Sequence, residues 1–295
     1  MKPRGPLAAA LAAPWLWLLL FLVAPLLILL KIALAEQALA APPFTDLLER
    51  LDSGVWALRL NFGNFAMLAE DALYWQALLN SAGVAAGSTV LCLLIGYPLA
   101  YGVARADPRW RGLLLTLAIL PFWTSFLLRV YAWKVLLQQG GALNWLLLRL
   151  GLIDQPLQLL HGTGAVYLGV VYAYLPFMIL PLYASLARQE PALLEAAADL
   201  GAKPWSAFLG VTLPLSLPGI VAGSLLVFIP AVGEFVIPDL LGGPDSLMIG
   251  RVLWTEFFGN RDWPLASALA LVLLAVLIAP ILWLQRYEAR LQATR

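Results

Sequence analysis

In a chain of 295 residues that is 62% hydrophobic and 12% charged, every charge inside an apolar run asks for a reason. Glu234 stands out, because the 20 residues before it, Pro214 to Gly233, carry no charge. A carboxylate so placed is costly in an apolar setting. It either marks a functional site or is neutralised by a cation of the same chain, and Arg129 and Lys134 lie at the same expected depth. Both readings can hold if the pair acts as a gate. Pro230 and Gly233 flank the carboxylate and can open a helix there, and Asp239 follows five residues later. Other chemistries find little material. Cys92, the one cysteine, lies in an apolar run and has no intrachain partner, and His161, the one histidine, is read as a surface loop residue. A membrane-embedded enzyme would need a cluster of His, Asp or Glu, and the sequence has no GxxxxGK[ST] phosphate loop. The net charge of +1 gives no case for nucleic-acid binding.

What must position Glu234 follows from composition. A water-soluble domain carries roughly 25% charged residues, and this chain could not cover its surface. The shortage falls in blocks of about 20 residues, enough to cross a hydrocarbon core of about 30 Å. Six apolar runs predict six helical spans, at approximately 13–35, 78–104, 112–134, 164–186, 214–237 and 264–284. Lys2 and Arg4 ahead of an oily stretch resemble a secretory signal, but Leu7 to Leu30 is uncharged for 24 residues, too long for a signal's core, and reads as a retained first span. Prolines recur inside the runs (Pro25, Pro98, Pro121, Pro176, Pro230, Pro280), which membrane helices tolerate where neighbours satisfy the freed carbonyls.

Orientation follows from the loop cations. With the N-terminus inside, the inner segments hold Lys2, Arg4, Arg105, Arg109, Arg111, Arg188, Lys203, Arg286, Arg290 and Arg295. The outer segments hold Arg50, Arg59, Arg149, Arg251 and Arg261, so both termini are expected in the cytoplasm. Lys31, Arg129 and Lys134 sit near outer span ends, where long side chains reach the interface.

The polar stretch "EAAADLGAKPWSAFLGVTLP", residues 195–214, then lies on the cytoplasmic side between the fourth and fifth spans. Pro191 suits the first turn of a helix, "ALLEAAADL" continues it, Gly201 is a left-handed stop, and Pro204 starts a second short helix. Glu195 and Asp199 are four apart and share one face. From the residues alone this is either an amphipathic connector or a docking element for a cytoplasmic partner.

The spacing of Glu195, Ala196, Ala197, Gly201, Val211, Leu213 and Pro214 resembles the coupling-loop signature of bacterial ABC importer permeases, with Val211 where that family usually has isoleucine. The resemblance implies an all-α membrane protein with the six-helix type I (MetI-like) permease fold, one permease domain over residues 1–295, with the loop at 187–213. It also implies that Glu195, Ala196, Ala197, Asp199, Gly201 and Pro214 couple the spans to a cytoplasmic ATPase homodimer. ATP and Mg would then bind in that partner, with no cofactor in this chain.

"LLIGYPLAYGVAR" (93–105), "LPFWTSFLLRVYAWKVLL" (120–137), "VYAYLPFMILPLY" (171–183) and "FIPAVGEFVIPDLLGGPDSLMIG" (228–250) are similar to the polyamine permeases, most of all the putrescine-type subunit. So is the long first outer loop, 36–77, with "NFGNFAML". That likeness implies a second homologous permease, a periplasmic polyamine-binding protein and an inner-membrane location. A polyamine is a flexible chain of protonated amines, which needs carboxylates for its charges and gains cation–π attraction of about 0.5–2 kcal/mol from an aromatic face. Glu234 and Asp239 would supply the first, and Trp123, Tyr131, Trp133, Tyr172 and Tyr174 the second, unless those rings belong to an interfacial belt. The alternatives are an ABC importer permease for another small solute and, behind it, an ion-coupled secondary transporter. A secondary transporter would show internal repeats and midplane carboxylates, and neither is evident here.

Overall fold

The computed structural model describes residues 12, 14–50 and 56–293. Lys2, Arg4, Leu7 and Arg295 lie outside them. The chain divides into two compact units, residues 1–75 with 252–295, and residues 76–251.

In the first unit, helix α1 (Pro14–Ala33) is apolar but for Lys31 in its last turn, and only 6% of its apolar stretch is buried within the chain. Its end is fixed by Asn64, whose Nδ2 donates to the carbonyls of Ala33 at 2.8 Å and Ala35 at 3.0 Å, satisfying acceptors that a helix terminus leaves bare. Asn64 belongs to helix α2 (Gly63–Glu70). The fold is helical for the most part, as the all-α expectation has it, with one short hairpin. Strands β1 (Leu48–Arg50) and β2 (Trp56–Leu58) pair antiparallel, Glu49 opposite Ala57. The last helix, α12 (Trp263–Ala293), packs against α1 and α2.

The second unit carries the rest. Helix α3 (Ala72–Arg105) runs for 34 residues through Pro98. The run expected as the third span, 112–134, is broken near its Pro121. Helix α4 (Pro108–Ile119) passes into a 3-10 turn at Leu120–Trp123, and the segment Phe126–Arg149, which opens with helix α5 (Phe126–Leu137), leaves at a bend of 84°. Pro121 withholds an N–H and Thr124 is extended, so the α-helical ladder stops. A short helix α6 (Ala142–Arg149) precedes α7 (Thr163–Leu186). The loop helix α8 (Pro191–Asp199) follows, and then the continuous apolar helix α9 (Pro204–Val232), a short helix α10 (Val236–Leu241), and α11 (Ile249–Trp254), which ends in the first unit.

Among the described residues four helices, α1, α3, α7 and α9, are long and apolar enough to cross a membrane, five if the bent pair counts as one span. The sixth expected run lies in α12, whose apolar part is the shorter Trp263–Ile278. The second unit's core is built from α3, α7 and α9: Cys92, Ala100, Met178, Ile179, Leu182 and Val227 are buried together. Helices α7 and α9 approach closely because Gly219 and Gly223, one turn apart, leave room for Pro181, Ser185 and Met178. Small residues at that spacing let helix backbones meet without a polar contact.

Candidate functional site

Helix α9 stops at Val232, and the chain re-enters helix at Val236. Glu234 sits in this gap and is 7% exposed. Its Oε1 accepts the N–H of Val236 at 3.0 Å and that of Ile237 at 3.4 Å, two donors that the start of α10 would otherwise leave free. Its Oε2 accepts the hydroxyl of Tyr174, on α7, at 2.5 Å. Three hydrogen bonds offset much of what burying a carboxylate costs. An ionised carboxylate offers about four lone-pair sites, so a further donor still has a place.

Glu234 and Tyr174 line a cavity of about 430 Å³ with Phe122, Phe126, Arg129, Phe177 and Phe235. Arg129 faces the rings of Phe122 at 5.3 Å and Phe126 at 5.9 Å, and its Nε and Nη1 are buried without a hydrogen-bond partner. Among the described residues no ion pair joins Glu234 to Arg129 or to Lys134, whose Nζ lies 6.0 Å from the Tyr131 ring. The cavity therefore holds an acid and a base that do not touch.

The other residues singled out in the sequence are placed elsewhere. Asp239 pairs with Arg251 at 3.2 Å, its side chain 53% exposed, and is not in the cavity wall. Trp123 is 79% exposed at the end of the 3-10 turn. Tyr131 is half exposed, and Trp133 meets Tyr172 edge to face at 5.4 Å, away from Glu234. His161 lies in a loop, with Nδ1 3.2 Å from the Gly242 carbonyl. The phenylalanines of the cavity went unmarked in the sequence, because phenylalanine in an apolar run carries no signal of its own.

In the 187–213 loop, Glu195, Ala196, Ala197 and Asp199 occupy α8 and are largely exposed. Gly201 has φ +81°. Its N–H bonds the Ala198 carbonyl at 2.8 Å, and the Ala202 N–H bonds that of Ala197 at 3.0 Å. This is the paired closure a left-handed residue gives a helix end. Leu200, 89% exposed, and Trp205, 70% exposed, then present apolar side chains on a polar loop. Pro214 opens the apolar length of α9, beside a π-helical turn at Phe208–Thr212.

With this geometry in view, residues 92–292 match the family model of the binding-protein-dependent transport system inner membrane component. The chain belongs to that family. As a family member it is a transport component of the inner membrane, a permease rather than an enzyme. It is 42% identical over 265 residues to the "Spermidine/putrescine transport system permease protein PotB" of Haemophilus influenzae, covering 89% of this chain and 88% of the relative. The Escherichia coli protein of that name is 40% identical over 261 residues, 88% of this chain and 90% of the relative. A chain of the crystal structure of a bacterial alginate ABC transporter, in complex with an alginate-bound periplasmic protein, superposes with TM-score 0.72 at 18% identity. That match covers 98% of this permease and 95% of the alginate chain, and it concerns the fold alone.

Proposed function

We propose that this chain is a transmembrane subunit of an ATP-driven importer that carries polyamines, putrescine or spermidine, from periplasm to cytoplasm. The observation that carries the reading is the 42% identity, over 89% of the chain, to a spermidine/putrescine permease. The partners are a cytoplasmic ATPase homodimer, which binds ATP and Mg, a second homologous permease and a periplasmic binding protein. The chain crosses the membrane six times, with α12 as the last span and the bent α4–α5 segment as the third, and has both termini in the cytoplasm. The 195–214 stretch then faces the ATPase, and movement of α8 shifts α7 and α9, between which it is strung.

The cavity chemistry supports a cationic solute at the outer end of α9. Glu234 is fixed by the Tyr174 hydroxyl and two backbone N–H groups, so it meets an ammonium without first reorganising. Phe122, Phe126 and Phe177 line the same space and offer aromatic faces to a cation. One observation favours a second reading, an anionic solute: the unpartnered nitrogens of Arg129 in the same wall. The complex reconstituted with the binding protein, loaded in turn with spermidine, putrescine, an inorganic oxyanion and a neutral amino acid, separates them. Stimulation of ATP hydrolysis by the polyamines alone is expected. Stimulation by the oxyanion or the amino acid, with none by a polyamine, overturns the assignment and leaves family membership untouched.

A further inference from the structure

The 195–214 stretch is tied by the chain to α7 and α9, its two neighbours in sequence. The side chains tie it to a third helix. Within the π-helical turn, where the Leu213 N–H reaches back to the Phe208 carbonyl, Phe208 projects against α3. Its ring meets Tyr97 at 5.7 Å and 85° and Tyr101 at 5.9 Å and 83°, two edge-to-face contacts from residues one helical turn apart on α3. Trp205 stacks on Phe208 from the loop side at 5.5 Å and 18°.

Polar contacts close the joint. The Tyr97 hydroxyl and Ser216 Oγ share a hydrogen bond at 2.9 Å, and Ser216 donates to the Leu213 carbonyl at 2.8 Å. The Arg105 guanidinium lies over Tyr101 at 5.5 Å. On the other side, Gln189 Nε2 donates to the Thr212 carbonyl at 3.0 Å and Ser185 to that of Leu215 at 3.3 Å, which fastens the same turn to the end of α7.

We propose that Phe208 is a positioning residue for coupling: it clasps the loop to α3, so that displacement of the loop carries α3 with α7 and α9. This rests on the reading of residues 195–214 as the ATPase contact. Geometry favours a clasp over incidental packing. Edge-to-face pairs are directional, and each is worth about two- to tenfold in an equilibrium constant beyond the area it buries. A π-helical turn is an uncommon device that recurs at functional positions, and here it sits where the three helices converge. The clasp also has reach. Near the far end of α3, Ser81 Oγ accepts the Ile249 N–H at 2.7 Å, fully buried, two residues before the Arg251 that pairs with Asp239 of α10. A stroke at Phe208 thus passes along one helix to the segment next to Glu234.

The test uses the complete reconstituted complex with spin labels at Leu99 on α3 and Leu209 beside the clasp, both exposed. The distance between the labels is measured nucleotide-free and with ATP trapped, alongside ATP hydrolysed per spermidine imported. The inter-label distance is expected to be the same in both states of the wild type. Phe208→Ala should make it differ between states and raise the ATP used per spermidine by on the order of tenfold, while Phe208→Tyr, which keeps the ring edge, restores both. If Phe208→Ala does not assemble, Tyr101→Leu removes one contact from the other side and should shift both readouts in the same direction. A wild-type distance that changes between states, or a Phe208→Ala or Tyr101→Leu complex that matches wild type in both readouts, overturns the clasp. Absence of spermidine import defeats the substrate assignment instead, and ATP hydrolysis indifferent to Glu195 and Gly201 variants defeats the loop assignment. The label distance reports on the clasp in either case.

Discussion

Tyr174 and Glu234, 60 residues apart in sequence, meet at 2.5 Å where α7 passes the gap between α9 and α10. The contact joins a side chain of one core helix to a carboxylate that also caps the next short helix, so the acid is held from two directions. A hydrogen bond to a charged group is worth about 1.5–3 kcal/mol, which is tenfold or more. Tyr174→Phe should therefore cut the initial rate of polyamine uptake by about tenfold at equal amounts of assembled complex, and Glu234→Gln by more. Uptake by Tyr174→Phe at the wild-type rate would mean that the carboxylate does not depend on this hydroxyl.

Asp239 offers the contrast. Its partner Arg251 is 3.2 Å away, but the aspartate is half exposed, and such pairs contribute about 0–1 kcal/mol. Asp239→Asn is expected to leave thermal stability within about 1 kcal/mol of wild type and uptake within a few-fold, as measured beside Glu234→Gln. Equal losses from the two changes would place Asp239 on the solute's path.

The end of α8 makes a backbone prediction. With φ at +81°, Gly201 occupies a region that costs other residues roughly 1–2 kcal/mol, with asparagine suffering least. Binding-protein-stimulated ATP hydrolysis should fall in the order glycine, asparagine, alanine at position 201. Full activity in Gly201→Ala would show that the loop works without this closure.

Where α7 and α9 touch, a Cβ on Gly219 would overlap the Pro181 carbonyl and Ser185, whereas a Cβ on Gly102 of α3 meets nothing within 4 Å. Gly219→Ala should lower the melting temperature of the complex through overpacking of about 1–3 kcal/mol. Gly102→Ala should leave it unchanged or raise it slightly, because alanine favours a helix by about 1 kcal/mol over glycine. Melting curves of the two variants decide, and equal shifts would contradict the close approach.

How much of this is legible in the sequence differs by residue. Glu234 was legible because a charge after 20 apolar residues breaks a pattern, and Gly201 because glycine between two helix signals predicts its own φ. The bend at Thr124–Ser125 was not, since an apolar run looks the same straight or folded and Pro121 alone does not say whether a helix kinks or stops. Nor was the cavity wall. Trp123, Tyr131, Trp133 and Tyr172 were as eligible as Tyr174 by type, and only the rotation of each helix, set by side-chain packing such as Met178 against Gly223, brings Tyr174 inward. The Gly219 and Gly223 pair carried a readable signal, a small residue at every fourth position, hidden among the 23 glycines of the chain.

The most direct test of the central claim is accumulation of labelled spermidine in vesicles containing the assembled complex, with loaded binding protein outside the periplasmic face and ATP at the cytoplasmic face. Accumulation against the gradient is expected to require ATP, to be competed by putrescine and not by a neutral amino acid, and to be lost in Glu234→Gln complexes that still assemble. Accumulation unaffected by Glu234→Gln, or none at all from a complex that hydrolyses ATP in response to a different solute, would contradict that claim.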